Sequence, residues 1–383
     1  MRICHVSPHL PPDQAANALL PAQLGAWSHA AGAEVSFVTQ PPSQGRGTAD
    51  PLPGPVRRVA ARSDSRLQRR LRIDTLRRSQ STMAALREVA DRADLLHLHS
   101  NGLIIEVAAA WARRRGMPYV LTLYGTEIWH YRKRWPIDPF TRAYHGAAEV
   151  TFYSDRLMSR AREIGLARPG LSVIYPAVSP SFAPVDGATR QAWRAALGIA
   201  EPLVLLNVKR LHPLAGQSVL IDAFARIARG RRDIRLIICG TGPVRADLEA
   251  QAARLGVAAQ ITFAGLVPNA DVARYAAVAD LFVLPSLLEA LPTVAVEALA
   301  AGTPVVSADH PGGQELHTLF GDDVEVVPKQ NVDLLAEALV ARLQAPRRTR
   351  SGTAEIVRAR FSPESVREAY DEVYQRVRGR LGA

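Results

Sequence analysis

The sequence predicts an α/β fold built twice, as two doubly wound domains each around a parallel sheet. Three observations carry this expectation. The chain has 383 residues, about twice the length of an ordinary single domain. Short aliphatic and β-branched runs alternate with helical patterns along its length, and the runs are continuously apolar, as strands buried on both faces are. A proline-rich passage, 175–184, separates one series of such units from the next.

In the first half, strands are expected at 2–7, 34–39, 94–99, 119–124 and 149–154. Helical patterns lie at 14–31 and 102–115, the second closed by Gly116-Met117-Pro118. The stretch 41–55, rich in Pro, Gly and Ser, reads as a loop. After a helix at 188–197 the pattern restarts: strand 202–208, helix 216–229, strand 234–239, helix 243–255, strand 261–263. Helix 269–279, strand 280–284, helix 292–301 and strand 303–307 follow. Near the C-terminus, Ser362 and Pro363 form a good N-cap and first turn for an amphipathic helix carrying Val366, Ala369, Tyr370, Val373, Tyr374 and Val377.

Composition narrows the class. With 48% hydrophobic and 22% charged residues the chain is globular, which excludes wholesale disorder. Cys4 and Cys239 stand far apart in apolar contexts, so neither a disulfide framework nor a cysteine zinc site can be built, and a reducing compartment is expected. No apolar run reaches membrane-spanning length, and the first residues enter a strand pattern without a secretory signal. A soluble, cytoplasmic protein is the expectation. The formal charge is +11, from 47 basic and 36 acidic residues; three of the basic residues are lysines (Lys133, Lys209, Lys329), leaving 44 arginines. This bias reads mostly as the codon usage of a GC-rich genome. A basic surface also suits nucleotides, anionic lipids or nucleic acid, but no nucleic-acid recognition motif is present. Nine arginines fall within 57–78, interleaved with Leu67, Leu71, Ile73 and Leu76. That segment reads as a surface for an anionic membrane, as a site for an anionic acceptor, or as a solvated helix packed on its leucines.

The stretch 285–299 is the most informative. A strand ends there, Pro292 suits the first turn of a helix, and the free amides of a helix start can bind phosphate or sugar oxygens at the edge of a parallel sheet. Glu289 precedes that helix and can point into the same crevice. Glu297 is the only charge between Pro292 and Thr303. A carboxylate in so apolar a run needs hydrogen-bond donors, which vicinal sugar hydroxyls or a neighbouring arginine could supply. His97 and His99 share a strand face, but with His130 and His145 they lack partnered carboxylate or cysteine spacing. They read as one satisfied core histidine and one histidine of an acceptor site, with no metal centre.

The Glu289-x7-Glu297 pair resembles the signature of the retaining family 4 glycosyltransferases, and the likeness extends over almost the whole chain. Asp94-Leu95-Leu96-His97-Leu98-His99 is similar to the family's strand ending in histidine, and Tyr124-Gly125-Thr126-Glu127 to its His-Gly-x-Asp turn. Val173 to Val178 resembles its interdomain hinge. Asn207 to Leu211, Cys239-Gly240-Thr241-Gly242-Pro243, Phe263-Ala264-Gly265 and 301–306 resemble the remaining blocks in order.

The resemblance implies the GT-B fold: two facing Rossmann-like domains, with a C-terminal helix crossing back to the first. It implies an acceptor domain at 1–178 with 363–383, and a donor domain at 179–362. The activity implied is transfer of a sugar from a nucleotide-sugar to a small-molecule, saccharide or lipid-linked acceptor. Anomeric configuration would be retained, and no metal or other cofactor would be needed. Arg210, Glu289 and Tyr124 would be catalytic. Donor binding would fall to Lys209, Arg210, Gly240, Gly242, Gly265, Val267, Glu289, Leu291, Pro292, Thr293 and Glu297. His99, Gly125, Thr126 and Glu127 would stand on the acceptor side.

Within this pattern Glu297 would take the ribose hydroxyls, Glu289 the donor sugar, and Arg210 the diphosphate, for which a guanidinium fork is well matched. Three positions depart from the family. Ala215 replaces its lysine, Tyr124 its histidine, and Pro11 to Asn17 its glycine-rich loop. Lys209 could supply the missing charge, although alternation along a strand would turn it away from Arg210. A nucleotide-sugar epimerase, a non-catalytic relative and a basic nucleic-acid-binding or scaffold protein are the alternatives.

Overall fold

The computed structural model describes residues 1–13, 16–42, 52–70, 72–134 and 136–380. Gln14 and Ala15 of the N-terminal loop, most of the proline-rich loop 41–55, and Leu71 lie outside the described residues. The chain divides into two compact units, Met1–Tyr175 with Arg367–Ala383, and Pro176–Val366.

Among the described residues the first unit holds seven parallel strands: β1 (Arg2–Ser7), β2 (Glu34–Thr39), β3 (Val56–Arg58), β4 (Leu95–His99), β5 (Tyr119–Leu123), β6 (Glu149–Phe152) and β7 (Leu171–Val173). Their order across the sheet is β3-β2-β1-β4-β5-β6-β7. Leu96, Leu98, Leu121, Leu123, Val150 and Phe152 are wholly buried, as strands covered by helices on both faces require. Each such side chain contributes about 1.5–3 kcal/mol relative to exposure. β3 and β7 were not anticipated. Each is three residues long at a sheet edge, and β3 carries two exposed arginines, so neither shows a local apolar run.

The second unit holds six parallel strands: β8 (Leu203–Val208), β9 (Ile234–Cys239), β10 (Ile261–Gly265), β11 (Leu281–Leu284), β12 (Val305–Ala308) and β13 (Val324–Val327), in the order β10-β9-β8-β11-β12-β13. The helix Gln217–Ala228 covers this sheet with Leu220, Ile221, Phe224 and Ile227, spaced as one face of a 3.6-residue helix demands. The sheets and flanking helices make the doubly wound architecture twice over.

Ser362 caps the helix Pro363–Gly379 by accepting the Ser365 N–H at 3.1 Å. Val366, Tyr370, Val373, Tyr374 and Val377 form its buried stripe. Residues from Arg367 onward belong to the first unit, where the Tyr374 hydroxyl shares a 2.7 Å hydrogen bond with His97 Nδ1. Cys4 and Cys239 are free thiols, buried in different units, and burial pushes both up to about 12. Among the described residues no helix is long and apolar enough to cross a membrane.

Candidate functional site

In the second unit β8 and β11 are neighbours although β9 and β10 lie between them in the chain. Sheet growth reverses at this junction. The connections leave toward opposite sides and open a crevice beyond the strand ends, where ligands of doubly wound sheets bind. Lys209 and Arg210 follow β8, and Pro285 to Pro292 follow β11. Lys209 Nζ lies 2.6 Å from Glu289 Oε1 across this junction. Strand alternation therefore does not turn Lys209 away from the site. It stands one residue beyond β8, and its long stem reaches over the strand ends to the loop after β11.

Arg210 is exposed, and its guanidinium has no partner among the described residues. Ala215 is buried in the turn Pro213–Ala215. Lys209 and Arg210 thus both bring positive charge to the end of β8. Gly240 and Gly242 are needed for packing. A Cβ at Gly240, whose φ is +140°, would sit 2.0 Å from the Lys209 carbonyl oxygen, and one at Gly242 would sit 1.9 Å from that of Leu211. Only glycine lets the loop after β9 run so close to the loop after β8. The Gly240 N–H donates to the Gly265 oxygen at 2.7 Å, which draws the end of β10 alongside, and Val267 is half-buried next to the exposed Leu266.

The helix after β11 runs Thr293–Ala300, so Pro292 is its N-cap and not part of its first turn. Leu291 and Pro292 are buried, Thr293 half-buried. Glu297, one turn into this helix, is partly buried, and its carboxylate has no hydrogen bond or ion pair among the described residues. Among the described residues no arginine meets it. Burial pushes its carboxyl up to about 7, as desolvation of an uncompensated carboxylate must.

Sequence reasoning missed the other wall of this edge. The Gly312 N–H donates to the Glu289 carbonyl at 3.0 Å, and a Cβ at Gly312 would come within 2.8 Å of Pro292 Cδ. These contacts seat the loop carrying Glu289 on the start of the helix Pro311–Phe320. His310 caps that helix: its Nδ1 accepts the Gly313 N–H at 2.9 Å. Burial pushes His310 down to about 4, with Lys209 and Lys329 also disfavouring its charge and Glu289 opposing them. It is therefore a neutral cap. The signal in the sequence was the run His310-Pro311-Gly312-Gly313 directly after a strand.

In the first unit a second cluster lies on β1, β4 and β5. His5 Nδ1 and His99 Nε2 are 3.1 Å apart, and His99 Nδ1 lies 2.9 Å from the Tyr124 hydroxyl. His97 spends both nitrogens, on Tyr374 and on Thr122 Oγ1 at 2.7 Å. Burial holds all three imidazoles below their usual range, His5 at about 3. The nitrogens of the three lie within 4.8 Å of one another, yet the rings of His97 and His99 stack at 4.0 Å. Stacked rings aim their lone pairs side by side, and both nitrogens of His97 and of His99 are already engaged.

His99, expected on the acceptor side, is wholly buried behind Tyr124. Glu127, expected beside it, is also buried, and its carboxylate accepts the Gly125 N–H at 2.7 Å. Both are placed to fix the turn. Tyr124 is half-buried and Thr126 exposed, so those two can meet a ligand.

Two family patterns match the chain: "Glycosyl transferases group 1" over residues 189–355 and "Glycosyl transferase 4-like domain" over residues 21–177. Among curated proteins, the chain is 29% identical over 229 residues to the 2-deoxystreptamine glucosyltransferase of Streptomyces kanamyceticus, an alignment covering 56% of this chain and 59% of that protein. It is 32% identical over 251 residues to the GDP-mannose-dependent alpha-(1-6)-phosphatidylinositol monomannoside mannosyltransferase of Mycolicibacterium smegmatis, covering 62% and 64%. The chain thus aligns with somewhat under two thirds of these relatives' lengths. Among solved structures, the sucrose-phosphate synthase of Thermosynechococcus elongatus superposes with a TM-score of 0.77 at 21% identity over 99% of both chains. That likeness establishes the GT-B fold.

Proposed function

The chain belongs to the group 1 glycosyl transferases, and on that premise we propose that it moves a sugar from a nucleoside-diphosphate donor to an acceptor hydroxyl. The second unit is the donor domain and the first the acceptor domain. One observation carries this reading: Glu297, a partly buried carboxylate without a partner among the described residues, one turn into the helix beside the switch point. Such a group costs the free protein stability and gains most from a ligand bringing two adjacent donors, as the 2′ and 3′ hydroxyls of a ribose do. The nucleotide-sugar dependence named for the Mycolicibacterium relative supports the same donor class.

The chemistry follows from charge. As the nucleoside diphosphate departs, negative charge grows on its phosphates and positive charge on the anomeric carbon. Arg210 and the amides opening the helix Thr293–Ala300 stabilise the leaving group, and donors fixed in advance supply this without reorganisation. Lys209 stands where it replaces the charge absent at Ala215, and it holds Glu289 until the donor sugar's hydroxyls take its place. With no carboxylate placed as nucleophile in this scheme, the acceptor hydroxyl attacks the face the diphosphate leaves and passes its proton to the departing phosphate oxygen. Configuration is retained, and the cations that neutralise the phosphates are the protein's own. In the first unit Tyr124, steadied by His99, meets the acceptor. The acceptor is a small molecule, a saccharide or a lipid-linked sugar, and for the last of these the segment 57–78 gives peripheral contact with an anionic membrane.

The test is a thermal-shift survey of nucleoside diphosphates and their sugars, followed by proton NMR of the product formed from the donor that binds. A ligand at a hundred times its dissociation constant adds about 2.7 kcal/mol to stability. The expected product keeps the donor's anomeric configuration. Inversion, or no shift with any nucleotide, contradicts the proposal.

A further inference from the structure

The segment 57–78 places nine arginines against two aspartates, Asp64 and Asp74. Its described residues are the reverse of a solvated helix packed on Leu67 and Leu76. The short helix Arg66–Arg70 buries no side chain, and Leu67 within it is 66% exposed. The next helix, Ile73–Val89, is inverted in its first turn: Asp74 is buried, while Ile73 and Leu76, three residues apart on one face, are 49% and 60% exposed. Asp74 is held by the Ser63 N–H at 2.9 Å and by Arg77 at 3.2 Å, which ties the loop before the short helix to the body of the unit. A buried aspartate therefore fixes the segment while Leu67, Ile73 and Leu76 face outward. Arg62, Arg66, Arg70 and Arg72 are exposed, and their guanidinium groups make no hydrogen bond or ion pair among the described residues.

We infer that this surface docks on an anionic lipid bilayer, with Leu67, Ile73 and Leu76 entering the headgroup boundary and Arg62, Arg66, Arg70 and Arg72 meeting lipid phosphates. Charge complementarity selects the partner. Each unpaired arginine adds about fivefold to partition onto an anionic leaflet, and exposed aliphatic groups among the arginines gain free energy only where they leave water. Nucleic acid would reward the arginines and not the leucines. The inference deepens the proposed function, because a membrane-bound enzyme meets lipid-linked acceptors. It rests on that reading only for its purpose, since docking needs neither donor nor acceptor.

The test is sedimentation of the full chain with vesicles of phosphatidylcholine alone and of phosphatidylcholine with phosphatidylglycerol, without nucleotide. Binding to the anionic vesicles only is expected. It should fall at least about tenfold in Arg66→Ser/Arg70→Ser and also in Leu67→Ser/Leu76→Ser. These positions are exposed, so melting temperature and any nucleotide-induced shift stay unchanged, and failure of docking is separable from failure of the donor site. Equal binding to neutral vesicles, no binding to either, or unchanged binding in either variant overturns the inference. Binding to double-stranded DNA that the leucine variant keeps, with no affinity for vesicles, overturns it in favour of nucleic acid.

Discussion

Replacing Glu297 by glutamine lowers affinity for the nucleoside diphosphate on the order of tenfold to a hundredfold, the worth of a charged acceptor taken from two hydroxyl donors. The same change raises the melting temperature of the free protein. The Glu297 carboxyl is pushed up to about 7 by burial alone. Between the ordinary carboxylate range and that value, the folded chain therefore binds this proton more tightly than the unfolded chain does. Stability is fully present below the unfolded pKa and falls as pH rises toward about 7. Glutamine has no proton to lose, so the variant escapes this part of the loss. Donor affinity in the wild type rises from about pH 6 to about pH 8 as the carboxylate forms, and the variant lacks this contribution. Calorimetric titration at the two pH values checks both statements. A folded variant with unchanged affinity removes Glu297 from the site.

Arg210→Ala should cost roughly a hundredfold to a thousandfold in kcat, as loss of one fixed donor to a developing negative charge does. Arg210 is exposed and without a partner, so its truncation leaves stability within about 0.5 kcal/mol. Arg210→Lys keeps the charge but loses the fork that spans two phosphate oxygens, and it recovers only part of the rate. Steady-state kinetics on both variants separates the cases. A kcat unchanged in Arg210→Ala would move the leaving-group role to Lys209.

The interior of both sheets was legible because it obeys one rule. Strands such as 203–208 and 281–284 are buried on both faces, and so they are apolar without interruption. The short edge strands of the first sheet were not legible, since Val56–Arg58 is defined by pairing to β2 and by nothing in its own composition. Glu289 and Glu297 stood out as isolated charges in an apolar run, a signal that survives without coordinates. Long side chains were harder. The reach of Lys209 depends on where β8 stops, and the role of Gly312 depends on a neighbouring loop remote in sequence. His99 illustrates the same limit: its place on the strand could be read, but only packing shows that Tyr124 covers it.

The central claim is that a nucleotide-sugar binds at the β8–β11 junction of the second unit. Hydrogen exchange of the full chain, with and without the nucleoside diphosphate giving the largest thermal shift, tests it most directly. The account predicts slowed exchange at the amides of 209–216, 240–242 and 285–297, flanking Lys209, Gly240 and Glu297. Protection confined to the first unit, or absent from these three segments while the ligand is bound, would contradict it.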